Sequence, residues 1–306
     1  MRKFKISVIG PVPPQELPAS GRELELMKKH WNRYLDCVLP ENPDIIVLHE
    51  CCNRFPAMSM PERLEYYRKE CSQEVFEFFR QKARDNNCCI AYSAFRIAEN
   101  SDCFNSTQLL GRDGNVMSIY NKNFPMIEEN QLQNILPGEE ATVCDTEFGR
   151  VGFAICFDLN FDHLRERYVK QKPNLLLFSS MYHGGIMQPY WAYSCRSYFA
   201  GAIAGNECTI INPVGTTVAA STNYFPYVTA EINTDYEVVH LDGNWDKLAA
   251  ASQKYGSKIK IFDPGKLGSV LMMSETPDLT AAGVVKEFKI EKLDDYFKRV
   301  MRYFNR

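Results

Sequence analysis

Short apolar segments alternate with longer amphipathic segments along most of the chain, and this alternation limits the fold more than any other feature of the sequence. Short apolar runs bounded by turn residues are typical of buried strands. A chain in which such strands are separated by helices is expected to belong to the α/β class. The runs that predict strands are Lys5–Ile9, Asp44–Leu48, Cys89–Phe95, Val151–Ile155, Leu175–Ser179 and Cys208–Asn212.

The segments between these strands carry apolar residues at intervals of three or four positions, which is the period of an amphipathic helix. The first predicted helix has this stripe from Leu24 to Val38, and the second has it from Leu64 through Cys71 to Phe79. Such helices are expected to cover the faces of the sheets. Further helices are predicted at Asp162–Lys170, Tyr190–Ala204 and Trp245–Tyr255.

A hairpin interrupts the alternation of strands and helices. The runs Ser106–Leu110 and Val116–Tyr120 flank a turn that contains Asp113-Gly114, and glycine favours such turns because it tolerates positive φ. Strands joined by a hairpin pair antiparallel, whereas strands joined through a helix usually pair parallel. We therefore predict an αββα sandwich, in which two facing mixed sheets are covered on their outer faces by helices.

The domain organisation follows from the absence of internal boundaries in the sequence. The chain has 306 residues without repeats, low-complexity tracts or a linker, so we predict one continuous domain over residues 1–306. The pattern becomes less regular from about Asp242, where one helix precedes a final amphipathic segment. Residues 242–306 are expected to form a divergent tail of the kind that packs on a partner subunit.

The charge distribution argues against nucleic acid and membranes as partners. The formal net charge is −3, from 38 acidic and 35 basic residues that are interspersed along the chain. Such a distribution produces no extended field for a polyanion or an anionic bilayer. No apolar run approaches the roughly 18 residues of a spanning helix, and the stretch before Pro11 is too short for the apolar part of a signal peptide. We expect a small-molecule partner.

The cysteine and histidine spacings predict a reduced protein without a structural metal. The eleven cysteines are an odd number, and the adjacent pairs Cys51-Cys52 and Cys88-Cys89 suit a disulfide framework poorly. A cytoplasmic location is therefore expected. No two cysteines have C-x-x-C spacing, and the five histidines form no H-x3-5-H pattern. A structural zinc site is not predicted.

Cys156 follows directly on the apolar segment Val151–Ile155. In α/β folds the carboxyl ends of strands form the edge at which substrate clefts lie. The helix predicted to begin near Asp162 would supply backbone N–H groups and the positive end of its dipole, and both lower the pKa of a nearby thiol. Buried cysteine is also a common small apolar side chain, so position alone does not identify Cys156 as a nucleophile.

Two charged residues occupy similar positions at the ends of other predicted strands. Glu50 ends the apolar segment that begins at Asp44, and a carboxylate there must be either exposed at the sheet rim or paired. Lys122 follows the second hairpin strand, where a solvated lysine is the ordinary interpretation. Taken one at a time, neither residue establishes a catalytic role.

Taken together, the three strand ends resemble the nitrilase superfamily of carbon-nitrogen hydrolases. The similar segments are IIVLHE at 45–50, YNK at 120–122 and VGFAICFD at 151–158, in the order found in that family. The similarity runs from Lys5 to about Asp235. It implies an αββα sandwich with a Glu-Lys-Cys catalytic centre that needs no metal ion or organic cofactor.

The resemblance also implies a role for each catalytic residue. Cys156 attacks the carbonyl carbon and forms a thioester, which water then cleaves. Glu50 is the general base that accepts the thiol proton and returns it to the departing nitrogen. Lys122 and the backbone N–H of Phe157 stabilise the oxyanion that develops on the carbonyl oxygen.

Members of the family commonly carry a second glutamate, which contacts the lysine and orients the substrate. The loop after Lys122 offers Glu128 and Glu129, and no other acid follows before Glu139. We select Glu129, although the loop length does not decide between the two neighbours. That both are solvated loop acids is the alternative.

The residues after the cysteine resemble the amidase and carbamoylase branches, because Phe157 and Asp158 stand where nitrile-cleaving members typically carry Trp and Glu. The expected reaction is hydrolysis of a small amide or N-carbamoyl compound with release of ammonia. Nitrile hydrolysis and acyl transfer through the same thioester are alternatives, and a catalytically silent binding or assembly role is another. The resemblance further implies a homodimer or larger homo-oligomer.

The expected substrate contacts lie after the predicted strand Leu175–Ser179. Tyr182 and His183 are placed to line the cleft together with Phe157, although ordinary surface positions are the alternative for both. No arginine that would clamp a carboxylate follows Cys156 directly.

Overall fold

A computed structural model describes residues 3–19 and 21–306, with only the backbone described at Glu70 and Cys71. The strands are β1 (Lys3–Ile9), β2 (Ile45–Leu48), β3 (Cys89–Ile97), β4 (Cys103–Leu110), β5 (Val116–Asn121), β6 (Val143–Thr146), β7 (Gly149–Ile155), β8 (Leu175–Ser180), β9 (Tyr198–Ile203), β10 (Thr209–Ile211), β11 (Thr217–Ala220), β12 (Tyr227–Asn233), β13 (Tyr236–His240), β14 (Ile259–Phe262) and β15 (Ser269–Ser274). The helices are α1 (Glu23–Val38), α2 (Met60–Arg68), α3 (Glu70–Asp85), α4 (Ile127–Gln133), α5 (Asp162–Gln171), α6 (Met187–Cys195), α7 (Trp245–Tyr255), α8 (Ala281–Glu287) and α9 (Leu293–Tyr303).

Twelve of these strands form two mixed sheets of six. The first has the order β12-β1-β2-β3-β4-β5, in which β1, β2 and β3 are parallel and β3, β4 and β5 are antiparallel. The second has the order β11-β10-β9-β8-β7-β6, in which β7, β8 and β9 are parallel. The predicted hairpin is confirmed as β4 and β5.

The two sheets face each other, since β2 packs against β8 and β9, and β4 packs against β7. Helices α1 and α3 pack together on the outer side of β3, and α5 and α6 pack together on the second sheet, where α6 contacts β9. The arrangement is the predicted four-layer αββα sandwich. The parallel strands carry continuous buried apolar runs because both of their faces are covered.

The buried stripe of α1 positions the site as well as filling the core. Met27, Trp31, Leu35 and Val38 are fully buried and share one face of the helix. The indole Nε1 of Trp31 donates a hydrogen bond of 2.8 Å to the carbonyl oxygen of Cys52. This bond holds the turn that follows β2 against the helix layer.

The segment predicted as one helix from Leu64 to Phe79 is two helices. Helix α2 ends before Lys69, whose ψ of 158° is extended, and α3 begins at the next residue. Neither glycine nor proline marks the break, so the apolar period alone could not reveal it. The side chain of Cys71, which belongs to the predicted stripe, lies outside the described residues.

The helix predicted at Tyr190–Ala204 is wrong over its second half. Helix α6 ends at Cys195, Arg196 adopts a left-handed φ of 53°, and the chain continues as β9 parallel to β8. A short apolar run fits a buried strand as well as a helix, so its period does not distinguish them. In β9, Gly201 packs closely on the side chain of Gln188, and a Cβ atom at position 201 would lie 2.6 Å from Oε1 of Gln188.

The backbone contacts divide the chain into two compact units, Phe4–Glu231 and Ile232–Arg306, with Lys3 assigned to the second. The second unit contains a three-stranded antiparallel sheet with the order β13-β15-β14 and its own apolar core. The predicted helix at Trp245–Tyr255 is confirmed within this unit. That residues from about Asp242 form a divergent tail that packs on a partner subunit stays a prediction. The assignment of residues 1–306 to a single domain stays a prediction.

In the part of the chain that the structure describes, no helix combines the length and the apolar character needed to cross a bilayer. The cysteines whose side chains are described are all free thiols.

Candidate active site

Lys122 lies at the centre of a buried charged cluster at the end of β5. Its ammonium group donates to Oε1 of Glu50 at 2.9 Å and to Oε2 of Glu129 at 2.8 Å. Only 1% of the side chain is exposed, so the interpretation as a solvated lysine is wrong. Burial disfavours the charged form, but the charges of Glu50, Cys156 and Glu129 outweigh burial and raise the pKa of Lys122.

Glu50 follows β2, and its side chain is buried with both carboxylate oxygens hydrogen-bonded. Oε1 accepts from Lys122 and from the amide Nδ2 of Asn105 at 2.8 Å, while Oε2 accepts from the backbone N–H of Met181 at 3.1 Å. Burial alone would raise the pKa of this carboxyl. The Lys122 charge and the hydrogen bonds from Lys122, Cys156 and Asn105 outweigh burial and hold the pKa below its ordinary value.

Cys156 follows β7 at a sharp turn, where its φ of 49° is left-handed and therefore strained for a residue with a side chain. The thiol lies within hydrogen-bond reach of Glu50 and Ser180. Burial, followed by the Glu50 charge, raises the pKa of Cys156 to about 12, and the Lys122 charge opposes this only in part. The thiol pKa is thus raised, where the sequence predicted that it would be lowered, because desolvation and the Glu50 carboxylate disfavour the thiolate.

Glu129 contacts Lys122, whereas its neighbour Glu128 is exposed to solvent. The difference arises from the start of α4. Glu129 occupies the third position of that helix, from which Oε2 accepts the backbone N–H of Met126 at 2.6 Å as well as the Lys122 ammonium. A side chain that caps its own helix in this way is held in one direction.

Asn105 on β4 is a site residue that the sequence interpretation missed. Its side chain is buried, and Nδ2 donates to Glu50 at 2.8 Å and to Glu129 at 3.1 Å. The amide therefore links the two carboxylates, and on Glu50 it shares Oε1 with the Lys122 ammonium.

Asp158, two residues after the cysteine, joins the end of β7 to the segment that follows Lys122. Oδ2 accepts from the hydroxyl of Tyr120 at 2.6 Å and from the backbone N–H of Ile155 at 3.0 Å, and Oδ1 accepts from the N–H of Phe124 at 2.9 Å. Burial raises the pKa of Asp158 to about 6, although these hydrogen bonds oppose the shift. The carboxyl group thereby fixes two of the three strand ends relative to each other.

The three predicted substrate contacts lie at the rim of the site. Phe157 is exposed and packs edge-on against Phe161 at 5.6 Å between ring centroids. Tyr182 is exposed, and its backbone exchanges hydrogen bonds with the Ser180 side chain. His183 uses Nδ1 to accept the N–H of Gly185 at 3.1 Å. None of these three side chains hydrogen-bonds to Glu50, Lys122 or Cys156 among the described residues.

The segment after β8 reaches the charged cluster through its backbone, at Met181. No sequence signal identifies a backbone donor of this kind.

The two arginines on α5 have partners of their own. Arg165 pairs with Asp162 at 3.0 Å and lies over the ring of Tyr190, and Arg167 pairs with Glu140 at 2.9 Å. Both are therefore engaged in ion pairs away from the cluster around Lys122.

The geometry combines a thiol, a carboxylate that can accept its proton and a fixed cation at three adjoining strand ends. Two carboxylates and one ammonium share the buried region, where burial and the Glu50 charge disfavour ionisation of the thiol. Such a set can transfer a proton and stabilise an oxyanion. Over residues 3–19 and 21–306, no group of three or more His, Cys, Asp or Glu side chains is placed to hold a metal ion; whether the reaction needs a cofactor stays a prediction.

Two sequence comparisons with known proteins agree on the family of this chain. The sequence model of the Carbon-nitrogen hydrolase family matches residues 23–235. The chain is 25% identical over 265 residues to omega-amidase NIT2-A of Xenopus laevis, an alignment that covers 77% of this chain and 91% of that protein.

Solved structures resemble the chain in fold. Nit3 of Saccharomyces cerevisiae, a member of branch 10 of the nitrilase superfamily, matches with a TM-score of 0.63 at 17% identity, over 76% of this chain and 90% of that one. A mutant of the amidase from Nesterenkonia sp. AN1, with the acetamide moiety of fluoroacetamide added covalently at its active-site cysteine, matches with a TM-score of 0.61 at 14% identity, over 75% of this chain and 90% of that one.

Proposed function

The chain belongs to the carbon-nitrogen hydrolase family, and we propose that it hydrolyses a small primary amide to the carboxylic acid and ammonia through a thioester on Cys156. The observation that carries this proposal is the buried contact of Lys122 with Glu50 and Glu129, beside a thiol held at a strained turn. A buried ammonium shared by two carboxylates is costly to assemble. Its location at the strand ends supports a catalytic purpose.

The first step transfers the thiol proton to Glu50 as Sγ attacks the amide carbon. A thiol with a pKa of about 12 is a weak nucleophile at neutral pH, so it needs a base within hydrogen-bond reach. Glu50 meets this requirement. Its lowered pKa makes full transfer unfavourable before substrate binds, so proton transfer accompanies formation of the S–C bond.

The second requirement is stabilisation of the oxyanion on the former carbonyl oxygen. Lys122 supplies a fixed positive charge in a region without bulk water, where electrostatic stabilisation is strongest. The backbone N–H of Phe157 is proposed as a second donor. Collapse of the tetrahedral intermediate breaks the C–N bond, and Glu50 returns its proton to the nitrogen so that ammonia leaves.

Water completes the cycle by attacking the thioester. Glu50 accepts a proton from this water, the C–S bond breaks, and Glu50 passes the proton to Sγ, which regenerates the thiol of Cys156 as the acid departs. Glu129 is proposed to keep Lys122 in place and to orient the amide group. The covalent acetamide adduct on the active-site cysteine of the Nesterenkonia amidase supports covalent chemistry in this fold.

The substrate class is proposed from the relatives and from the residues beside the cysteine. Curated relatives at 20–25% identity are named omega-amidases, which supports an amide at the end of a small molecule. Tyr182 and His183 at the rim are proposed as substrate contacts, together with Phe157. Hydrolysis of a nitrile or transfer of the acyl group uses the same thioester and is distinguished by product analysis.

We also propose a reduced, cytoplasmic protein that forms a homodimer or larger homo-oligomer. The free cysteines support the first part, and the second rests on the family resemblance alone. Size-exclusion chromatography with light scattering tests the oligomeric state.

The proposed reaction is tested by measuring ammonia release from a panel of small amides, N-carbamoyl compounds and nitriles. We expect amides to be cleaved and the Cys156→Ala variant to be inactive toward all of them. Ammonia release that survives this substitution would exclude the thioester mechanism. Release from nitriles in preference to amides would move the protein to the nitrilase alternative.

A further inference from the structure

A small cavity lies on the outer face of the first sheet, beside α3 and over β3 and β4. Its volume is about 190 Å³. Of the described residues that line it, none belongs to the charged cluster around Lys122. The rings of Tyr67 and Phe95 stack at 4.5 Å between centroids in its wall, and Phe76 of α3 adds a third ring. The cavity therefore offers apolar surface to part of a small molecule.

The side-chain amide of Gln108 is available to a molecule in this cavity. Gln108 lies on β4 opposite Tyr92, and only 8% of it is exposed. In the part of the chain that the structure describes, this amide forms no hydrogen bond, although it lines the cavity. Since buried polar groups are nearly always bonded, an unbonded amide at this depth indicates a place for a polar ligand.

Arg96 at the end of β3 brings a positive charge to the same cavity. Its half-buried guanidinium donates through Nε to Oγ of Ser106 and through Nη2 to Oδ1 of Asn121, each at 3.2 Å. Over residues 3–19 and 21–306, Nη1 has no hydrogen-bond partner and no described carboxylate pairs with the guanidinium. A planar cation in this position is suited to bind a carboxylate.

A negative charge lies at the rim of the cavity. Glu99 is exposed there and forms no ion pair with any described side chain. A simple anion would be attracted by Arg96 but repelled by Glu99, and a simple cation would meet the opposite problem. A zwitterion matches both charges, and the amide of Gln108 can bond to either end of it because an amide both donates and accepts.

The guanidinium also contacts the residues next to two members of the charged cluster. Ser106 and Asn121 lie opposite each other on β4 and β5, and Oγ of the first donates to Oδ1 of the second at 2.8 Å. The following rung is the bond of 2.9 Å from the N–H of Lys122 to the carbonyl oxygen of Asn105. Successive residues of a strand point to opposite faces. Arg96 thus supports this part of the sheet from behind.

We propose that the cavity binds a free amino acid with an apolar side chain, and that the bound amino acid lowers turnover. Its carboxylate is held by Arg96 and its ammonium group lies near Glu99. A carboxylate takes a guanidinium through two parallel bonds, which here use Nη1 and Nη2. Nη2 then releases Asn121, and the segment that carries Lys122 loses one of its supports. Binding itself does not depend on the proposed hydrolysis, whereas its effect on turnover does.

Binding is tested by calorimetry with L-leucine, isocaproate and isopentylamine. Isocaproate lacks the ammonium group of leucine, and isopentylamine lacks the carboxylate. We expect leucine to bind the wild-type protein at least about tenfold more tightly than either analogue. Arg96→Gln should weaken leucine binding by roughly 30-fold or more, because a charge-assisted pair of bonds is lost. Glu99→Gln, a change at an exposed position, should remove most of the preference for leucine over isocaproate.

Arg167→Gln is the matched control, since it removes a half-buried guanidinium that has its own carboxylate partner in Glu140. It should bind leucine as the wild-type protein does. Absence of leucine binding to the wild-type protein, or equal affinity of wild type and Arg96→Gln, would overturn the proposed site.

The effect on turnover is measured as ammonia release from the best amide of the panel. Saturating leucine should lower wild-type kcat by about three- to tenfold, with KM changed by less than about twofold, since one hydrogen bond behind Lys122 is lost. Arg96→Gln should show a similarly lowered kcat without leucine and no further effect of leucine. An unchanged kcat with raised KM would place leucine in the substrate site and contradict the proposal.

Cys156→Ala distinguishes failure of this inference from failure of the proposed function. Leucine should bind this variant and the wild-type protein with equal affinity, because the cavity lies outside the charged cluster. If no amide is hydrolysed but leucine binds and Arg96→Gln abolishes binding, the site stands and the proposed hydrolysis fails. If amides are hydrolysed and leucine leaves kcat unchanged while bound, the coupling through Asn121 is wrong and the hydrolase is unaffected.

Discussion

The charged cluster at the end of β5 and the loop after β8 are both parts of the proposed active site, but they are built in opposite ways. Lys122 is 1% exposed and is held by two carboxylates. Tyr182 and His183 lie at the rim, where their hydrogen bonds are made mainly within the loop itself. The first region is held by side chains from four elements, and the second by its own backbone.

This difference predicts which part of the site should tolerate substitution. In the buried cluster, removing one member leaves another charge desolvated and unpaired, so the effects should be large and coupled. In the loop, each side chain can be replaced without leaving a buried charge. The predictions that follow proceed from the cluster outward.

Replacement of the nucleophile should have the largest effect. Cys156→Ala is expected to lower kcat for ammonia release by roughly 10⁴-fold or more, as is usual when a covalent nucleophile is removed. Cys37→Ala is the matched control because that thiol is exposed on α1, and it should retain wild-type activity. Comparable activity in the two variants would show that the cluster around Lys122 has a different purpose.

Replacement of the central cation should affect both turnover and stability. Lys122→Met leaves Glu50 and Glu129 without their shared counter-charge, and we expect about 3–5 kcal/mol less free energy of unfolding at pH 7.5. Turnover should fall by about 100-fold or more, because the proposed oxyanion donor is lost.

The pH dependence of this variant has a definite sign. Without the Lys122 charge, burial raises the pKa of Glu50 above that of the unfolded chain, so ionisation opposes folding. The loss of stability should therefore be full at neutral pH and shrink as the pH falls toward about 4. Urea denaturation at pH 7.5 and pH 5 measures the decrease in the free energy of unfolding that the substitution causes. An equal decrease at the two pH values would contradict the buried ion pair.

The raised pKa of Cys156 predicts unusual alkylation kinetics. For a thiol with a pKa of about 12, the reactive thiolate increases tenfold per pH unit, so iodoacetamide should label Cys156 about 100-fold faster at pH 9.5 than at pH 7.5. Glutathione, with an ordinary thiol pKa, should change by only about tenfold. Peptide mapping identifies the labelled cysteine. A rate for Cys156 that is already constant at pH 7.5 would indicate a preformed thiolate.

Substitution of Glu129 and of Glu128 should distinguish the effect of a glutamate that contacts Lys122 from the effect of removing a negative charge nearby. Glu129→Gln is expected to lower kcat by roughly 10- to 100-fold, because it weakens a charge-assisted bond to Lys122. Glu128→Gln removes the same charge from an exposed position and should change kcat by less than about twofold. The reverse ranking would place the second glutamate at Glu128.

The loop after β8 should show the smallest effects. Tyr182→Phe and His183→Ala are expected to change KM by only a few-fold, with kcat nearly unchanged, since neither side chain hydrogen-bonds to the described catalytic groups. Steady-state kinetics with the best amide of the panel provides the measurement. A loss of kcat as large as that of Glu129→Gln would show that the loop takes part in catalysis.

The same contrast explains how much could be predicted from the sequence. The apolar strands and the residues at their ends could be predicted because burial on both faces leaves a continuous apolar run. From the sequence, the second glutamate of the site could be limited only to Glu128 or Glu129, since the choice depends on where α4 begins. The failed helix at Tyr190–Ala204 shows the limit for short apolar runs, whose pairing partners decide their structure.

Asn105 and Met181 were missed for a different reason. An amide in a strand and a backbone N–H in a loop carry no pattern of their own, and only the folded chain brings them to Glu50.

The most direct test of the central claim is mass spectrometry of the protein mixed with fluoroacetamide or a slowly hydrolysed amide. The account predicts a covalent adduct on the peptide that contains Cys156, carrying the mass of the acyl or acetamide group, which is absent in Cys156→Ala. The measurement is made under conditions in which the adduct forms faster than it is hydrolysed. If ammonia is then released from an amide and no adduct is found on Cys156, a cysteine-centred site organised by Glu50 and Lys122 is contradicted.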